Sequence, residues 1–419
     1  MAHRLIRHSV WLLLGRLGTQ VGVALFTVIL ARRLGSAGFG EYAFVAAIIF
    51  VTNALTTFGT DMLLVREIAA QNDLSRLPAA LLLQLILSAL VIAATWLWAE
   101  QIPNQGAETV LALRIYVLSL IPLAFFTVFT TALRGKQHMG AYLVVNLISA
   151  ILQLGAGLVP NLNIDSLFVL LCMVQAVLAV FTGILCVLLI PGFWQAWRHA
   201  ALLSSSFLMD VAPLALLTVM TILYQRLSVL ALSLMTASEQ VGLFSAAARI
   251  VEASKTVHLG IFAALYPAMS QAGSDAINRS AWDNPFKWSW RILLAGAVLI
   301  ALMLYSTSTL LIQILYGGQF RVSAPILQIL AWTIIPFTIN TYLTLSYLAS
   351  NQEWVVGRAF AAGLLGLLIL NLGLIPLYGP QGSAWASLIA ECIQSIILLA
   401  GRKSIFQVKE ASHEFSELS

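Results

Sequence analysis

Three charged side chains interrupt a long apolar stretch that runs from Gln240 to Met269. Arg249, Glu252 and Lys255 fall on an arc of roughly 120° of an α-helix, because successive residues turn by about 100°. A charge at bilayer depth costs at least ~2.5–3.5 kcal/mol, so such residues usually face a bundle interior or a water-filled path and are candidates for function. Alternatively, the three residues form a ladder of ion pairs along one helix that only fixes its packing.

Arginines that lie deep in apolar stretches are candidates for binding phosphate. At ~1.5 Å per residue, Arg16, Arg226 and Arg249 lie about 10–14 Å inside their stretches. A guanidinium group at that depth needs an acceptor, and its planar, permanently protonated fork suits the oxygens of a phosphate. The predicted substrate-binding residues are therefore Arg249, Arg226, Arg16 and Lys255.

Acidic residues in the apolar stretches have two possible roles. Glu252, Asp210 and Glu391 either form ion pairs with these basic residues or bind a coupling ion. Neutral amides such as Asn340 and Gln394 are expected to bond neighbouring helices. The cysteines are odd in number and lie in apolar segments, which predicts neither a disulfide nor a metal site, and no cofactor is expected. They are Cys172, Cys186 and Cys392.

The composition is that of a polytopic membrane protein, with 60% hydrophobic and 9% charged residues over 419 positions. The net charge of +5 comes from basic residues scattered beside apolar runs, which argues against a nucleic-acid partner. The sequence has no GKS or GKT phosphate loop, and no predicted outer loop exceeds about nine residues. We therefore expect neither an ATP-driven pump nor an enzyme that acts on sugars.

Windows of about twenty mostly apolar residues predict twelve membrane spans. Their approximate bounds are 9–31, 39–60, 77–99, 109–133, 138–159, 166–190, 205–235, 240–269, 288–311, 323–349, 354–377 and 381–401. Lysines and arginines of the connections concentrate on the side of the two chain ends, with exceptions at Arg32, Arg33 and Arg321. The positive-inside rule then predicts a multi-pass protein of the cell (inner) membrane with both termini in the cytoplasm.

Two pairs of similar segments indicate an internal repeat. The segment around Gly40 aligns with that around Gly242, and the segment after Pro160 aligns with that after Pro376. The predicted fold is an all-α polytopic membrane protein with about twelve transmembrane helices in two pseudo-symmetric six-helix lobes around a central cavity. The predicted lobes are residues 1–195 and 196–405, followed by a cytoplasmic tail of residues 406–419.

Four segments, in order along the chain, carry a family resemblance. They are LGSAGFGEYAF with the following VREIA, VGLFSAAARIVE with the following ALYPAMSQ, ILYGGQF, and LIPLYGPQGSAWASLIAE. The chain resembles the polysaccharide transporter (Wzx-type oligosaccharide flippase) family of the multidrug/oligosaccharidyl-lipid/polysaccharide exporter (MOP) superfamily. The resemblance implies a flippase that moves undecaprenyl-pyrophosphate-linked oligosaccharide from the inner to the outer leaflet, for O-antigen, capsule or exopolysaccharide. Its implied partners are this lipid-linked cargo, membrane lipids, a coupling H+ or Na+, and polysaccharide polymerase machinery.

One position departs from the family pattern, and two other functions stay open. Relatives often carry an acid where Ser228 stands beside Arg226, so a role for that acid does not transfer to this chain. A multidrug or cation antiporter of the same fold is the first alternative. Such antiporters tend to place an acid in the first helices, where this chain has Arg16. A membrane glycosyl-polymerase or ligase is the second alternative, and the short outer loops argue against it.

The topology makes a direct prediction for cells that express single-cysteine variants with the three native cysteines replaced. A cysteine at position 105 in place of Gln105 should react with an impermeant thiol reagent in intact cells, because it lies in an outer loop. A cysteine in place of His138 should stay unmodified. Labelling of the second variant and protection of the first would reverse the assignment.

Overall fold

The computed structural model is helical throughout the part of the chain that it describes. Its backbone covers residues 2–160, 163–198, 204–274, 279–349 and 352–417. Side chains are described in residues 18–160, 163–195, 197, 204–256, 290–347, 352 and 354–401. Apart from the α-helices, the regular elements in these residues are two single turns of 3-10 helix, Ala99–Gln101 and Gly318–Phe320. The predicted all-α class is confirmed.

Fourteen α-helices follow one another in the described backbone. They are α1 (Ala2–Thr57), α2 (Thr60–Gln71), α3 (Leu77–Trp98), α4 (Ala107–Val117), α5 (Leu120–Gly135), α6 (Met139–Leu158), α7 (Ile164–Leu189), α8 (Phe193–Arg198), α9 (Ser205–Met235), α10 (Ser238–Ser274), α11 (Arg279–Tyr316), α12 (Ser323–Ala331), α13 (Ile334–Ala349) and α14 (Glu353–Glu417).

Nine helical stretches of the described residues are long and apolar enough to cross a membrane. Two of them, Gly18–Thr57 and Trp354–Gly401, hold 40 and 48 residues, about twice the ~20 that one crossing needs. Each of these two folds back on itself, and α10 is a further span by the hydropathy of its sequence. The predicted set of about twelve spans is therefore confirmed.

A glycine forms the fold-back in each of the two longest helices. Gly35 in α1 and Gly379 in α14 have φ values of 72° and 55°, in the left-handed region that glycine adopts without a Cβ clash. Beyond Gly35, the ring of Tyr42 returns to within 5.9 Å of the ring of Phe26. Beyond Gly379, the Ser383 hydroxyl donates to the side-chain oxygen of Asn371 at 2.7 Å. Each glycine therefore joins two antiparallel helical arms.

A proline interrupts one predicted span in each half of the chain. Pro122 has no N–H to donate to the Leu118 carbonyl, and the N–H of Ile121 bonds there at 3.3 Å. The predicted span 109–133 is accordingly two helices, α4 and α5. In the same way the N–H of Ile335, just before Pro336, bonds the Trp332 carbonyl at 3.3 Å, so that the span 323–349 becomes α12 and α13.

The chain divides into two compact units, Met1–Gly242 and Leu243–Ser419. The first unit has an apolar core in which buried side chains of α2, α3, α5 and α9 meet, for example Ile68, Leu77 and Phe207. The core of the second unit surrounds Tyr347, whose buried hydroxyl donates to the Leu398 carbonyl at 2.6 Å. The lobe boundary near residue 195 stays a prediction.

Two glycines of the internal repeat make a reciprocal backbone contact within the first unit. A Cβ added to Gly40 would lie 1.7 Å from the Ser238 carbonyl oxygen, and one added to Gly242 would lie 1.9 Å from that of Ser36. Gly40 and Ser36 align with Gly242 and Ser238 in the repeat. Equivalent segments therefore pack against each other so closely that no side chain fits between them.

We expect Gly40→Ala and Gly242→Ala to destabilise the protein by ~1–3 kcal/mol, the range for overpacked sites. Gly155→Ala is the matched control, because a Cβ there meets no atom within 4 Å. A Gly→Ala change inside a helix without a clash increases the stability of the folded protein by about 0.5–1 kcal/mol. Melting temperatures of the purified proteins in detergent measure both effects. Similar melting temperatures for Gly40→Ala and Gly155→Ala would contradict the close approach.

Candidate functional site

An ion pair on α10 positions the guanidinium group of Arg249. Its terminal nitrogen lies 3.0 Å from the Glu252 carboxylate, one helical turn along α10. The Arg249 side chain is 19% exposed and that of Glu252 is 37% exposed. On the other side of the helix Leu243 and Ile250 are buried. The two-faced character that the sequence predicts for this helix is therefore present in the described residues.

Lys255 does not extend this pair into a ladder. Its Nζ lies 3.2 Å from Oε1 of Glu391, which belongs to α14. The Glu391 side chain is only 8% exposed, whereas that of Lys255 is 20% exposed. Nζ also lies 4.5 Å from the centroid of the Phe337 ring on α13, within the range of a cation–π interaction. The lysine thus connects α10 to both other helices.

The remaining oxygen of Glu391 is bonded by an amide. Nδ2 of Asn340 donates to Oε2 of Glu391 at 2.8 Å. The same nitrogen is 3.1 Å from the Glu391 backbone carbonyl and 3.3 Å from Oε1 of Gln394. The Ser395 hydroxyl donates to Oδ1 of Asn340 at 2.7 Å, which fixes the orientation of the amide. The buried carboxylate therefore has partners on both of its oxygens.

Sequence reasoning placed Lys255 and Glu391 among the site residues but missed two others. The sequence gives Asn340 only the general role of a polar residue that bonds a neighbouring helix, and it predicts no role for Phe337. The available signal was Pro336, since both residues stand in the helical turn that follows the interruption of the predicted span. A break in a span at bilayer depth is tolerated where it is buried in protein or borders water.

The first unit holds one predicted arginine in an aromatic setting. The guanidinium carbon of Arg226 lies 4.7 Å from the centroid of the Phe50 ring, and Arg226 is buried. Ser228, which stands where relatives often have an acid, is buried too. Arg226 and Arg249 belong to different compact units, and their cooperation stays a prediction. The Arg16 side chain lies outside the described residues.

Asp210 lies near the start of α9 and pairs with a loop arginine. Arg76 bonds Glu67 at 2.7 Å and approaches Asp210 at 3.4 Å, and the Asp210 side chain is half exposed. Nearby, hydrogen bonds from the hydroxyl and the backbone N–H of Ser75 hold the pKa of Asp73 below its ordinary value. Among the described side chains, Asp210 is thus paired with Arg76.

Helix ends on the predicted outer side are capped by polar side chains. Arg33, an exception to the positive-inside pattern, donates to the Val159 carbonyl at the end of α6 at 2.6 Å. Asn104 and Gln105 donate to carbonyls of the last turn of α9 at 2.7 Å and 2.8 Å. Arg114, 3.0 Å from Glu100, donates to a carbonyl of α3. These polar groups satisfy backbone acceptors that the helix termini leave open.

Within the described residues no cluster of three or more His, Cys, Asp or Glu side chains is arranged to hold a metal ion. The polar groups brought together around α10 and α14 are thus the Arg249 guanidinium, the Lys255 ammonium, the carboxylates of Glu252 and Glu391, and the amide of Asn340. Arg249 and Glu252 are partly exposed, whereas Glu391 and Asn340 are buried. The partly exposed pair of Arg249 and Glu252 can exchange its ion-pair partners with a ligand. The buried Glu391 and Asn340 instead keep the partners that they have.

Solved structures of membrane transporters have a fold similar to that of this chain. An inward-facing multidrug resistance MATE transporter of the MOP superfamily matches with a TM-score of 0.77 at 14% identity, covering 94% of this chain and 96% of that one. A lipid II flippase, MurJ, in an inward closed conformation matches with a TM-score of 0.73 at 15% identity, covering 95% and 87%. A MOP superfamily transporter from Pyrococcus furiosus matches with a TM-score of 0.66 at 14% identity, covering 96% of each.

Sequence comparison identifies the family. No curated protein matches the sequence significantly. The family model described as polysaccharide biosynthesis protein matches residues 5–272, which is more than half of the chain. This match confirms the resemblance to a polysaccharide family that the four sequence segments carry, and the solved structures above agree with it in fold. The chain belongs to the polysaccharide biosynthesis protein family and has the fold of these transporters.

Proposed function

We propose that the protein flips lipid-linked oligosaccharide, carried on undecaprenyl pyrophosphate, from the inner to the outer leaflet of the cell membrane. The product would supply O-antigen, capsule or exopolysaccharide synthesis. Family membership supports a step in polysaccharide biosynthesis, and the fold is shared with a lipid II flippase. The sequence has no ATP-binding phosphate loop, so a coupling ion, H+ or Na+, is the expected energy source.

The observation that carries the proposal is the partly exposed guanidinium of Arg249 in a membrane-spanning helix. Charged residues in such helices are rare and mark substrate or ion pathways. Pyrophosphate offers oxygens that match the fork of an arginine with two parallel hydrogen bonds. A cargo with a pyrophosphate link between lipid and sugar would thus present to Arg249 the group that it binds best.

The different exposure of the two acidic partners supports Arg249, rather than Lys255, as the residue that binds the cargo. Glu252 is more than one-third exposed, so it remains hydrated when a phosphate takes its place on Arg249. Glu391 is buried, and separating a buried pair costs about 3–5 kcal/mol because it leaves an uncompensated charge. We therefore assign the pyrophosphate to Arg249 and do not assign it to Lys255 in this conformation. Arg226 and Arg16 stay predicted substrate-binding residues.

A cation antiporter is the second candidate, because the fold is shared with multidrug resistance transporters. Such a protein needs a carboxylate inside the membrane that is open to a proton, a sodium ion or a cationic drug. In the part of the second unit that the structure describes, the carboxylates of Glu252 and Glu391 each already bond a basic side chain. This arrangement favours the flippase over the antiporter.

Loss of the protein should stop export without stopping synthesis of the cargo. Cells that lack it should accumulate complete lipid-linked oligosaccharide on the cytoplasmic leaflet and lose their surface polysaccharide, because the carrier's polar head does not cross the bilayer alone. Lipid profiling with leaflet-specific labelling measures this. Altered sensitivity to cationic drugs with normal surface polysaccharide would support the antiporter instead.

Arg249→Gln should lower export by roughly 10- to 100-fold, since a hydrogen bond to a charged group contributes about 1.5–3 kcal/mol. Arg249→Lys should retain part of the export, because the charge remains but the two-pronged geometry is lost. Surface polysaccharide per cell, normalised to the amount of inserted protein, is the measurement. Arg358→Gln, which removes an exposed arginine of α14, is the matched control and should export normally.

Glu252→Gln separates this assignment from a purely structural ion pair. If Arg249 serves the cargo, the Glu252→Gln protein stays abundant and exports, because its arginine keeps the guanidinium fork that binds phosphate. If the pair only fixes packing, both Arg249→Gln and Glu252→Gln lose melting temperature to a similar extent. Export at the wild-type level by a normally abundant Arg249→Gln protein would rule out the assignment.

A further inference from the structure

The ammonium group of Lys255 lies between a carboxylate and the face of an aromatic ring. Nζ is 3.2 Å from Oε1 of Glu391 and 4.5 Å from the centroid of Phe337. A carboxylate together with an aromatic face is the combination that proteins use to hold organic ammonium ions, through charge and cation–π attraction. The groups that surround this lysine head therefore form a receptor for an organic cation.

The carboxylate of this receptor is held in place without help from the lysine. Asn340 bonds Oε2 of Glu391 and also the Glu391 backbone carbonyl. Ser395 bonds the opposite end of the Asn340 amide and the same carbonyl of Glu391. These partners come from α13 and α14, whereas Lys255 comes from α10. Removal of the lysine head would thus leave Oε1 pointing at the position of Nζ.

The lysine contributes only its flexible stem and head to the site. Its side chain is 20% exposed, whereas that of Glu391 is 8% exposed, so the cation enters from the lysine side. The side chain beyond Cβ has three methylene groups and an ammonium group, and this fragment has the same non-hydrogen atoms as n-propylammonium. A free n-propylammonium ion would therefore occupy the same space as the end of the Lys255 side chain.

We propose that Glu391 and Phe337, with Asn340, form a binding site for a primary alkylammonium ion, and that Lys255 occupies it as a tethered ligand. The lysine thereby keeps free organic cations away from a carboxylate that would bind them. It is a specificity-determining residue, and its truncation opens the site. The inference goes beyond the proposed transport of a lipid-linked anion and does not depend on it.

Chemical rescue of the Lys255→Ala protein tests the site. The purified variant in detergent is melted in n-propylammonium chloride and, at equal concentration, in sodium chloride. We expect a melting temperature higher by roughly 1–2 °C in n-propylammonium at about ten times its Kd, since a ligand that binds only the folded state stabilises it by RT ln(1 + [L]/Kd). The wild-type protein should show no such difference between the two salts.

Two control variants assign the effect to this site. Lys255→Met fills the space of the side chain without a charge, so it should not respond to n-propylammonium. Lys255→Ala combined with Glu391→Gln keeps the space but removes the carboxylate charge, and it should not respond either. Equal melting temperatures of Lys255→Ala in the two salts, or an equal response of the double variant, would overturn the proposal.

A second readout covers a Lys255→Ala protein that does not survive purification. Membranes containing the variant are solubilised directly in each salt, and the monodisperse fraction is measured by size-exclusion chromatography. A larger folded fraction in n-propylammonium than in sodium chloride supports the site, and equal fractions overturn it. Neither readout involves the lipid-linked cargo, so a failure here leaves the proposed transport function standing, and a failure of Arg249→Gln to affect export leaves this site standing.

Discussion

The hydrocarbon core of a membrane offers no water to an unpaired backbone group, and this constraint shapes every element of the protein. An α-helix satisfies its own N–H and C=O groups, so the described chain is helical and its interruptions are short. Where a helix ends near the predicted outer surface, side chains donate to its open carbonyls, as Arg33, Asn104 and Gln105 do. Where a proline removes a donor, the preceding N–H takes over the bond.

The same constraint governs the charged residues. A carboxylate buried as deeply as that of Glu391 needs partners for both oxygens, and the chain supplies an ammonium for one and an amide for the other. Glu252 is exposed enough to rely partly on water. The two acidic residues therefore differ in how easily they exchange partners: the partly exposed Glu252 can release Arg249, whereas the buried Glu391 keeps Lys255.

The two halves of the chain share a backbone plan but not a chemistry. Pro122 and Pro336 interrupt corresponding spans with the same change in hydrogen bonding. The positions that correspond to Lys255 and Glu391, counted from the aligned Gly40 and Pro160, hold Asn53 and Gln175. Neutral amides in the first half thus replace the ion pair of the second. Because only the second copy of the repeat carries this ion pair, the specificity of the site comes from the second half of the chain.

The sequence by itself determined the membrane class, the spans, the family and the face of α10 that carries charge, because hydropathy and helical periodicity are local properties. It also predicted the contact of Arg249 with Glu252 as one of two alternatives, since one helical turn brings them together. Only the tertiary structure decided that Lys255 bonds Glu391, more than a hundred residues away, and that Phe337 and Asn340 complete this site. It also decided that Asp210 forms an ion pair with Arg76. Such partners depend on how helices distant in sequence pack and on which side chains that packing buries, and neither is written in the spacing of residues along one helix.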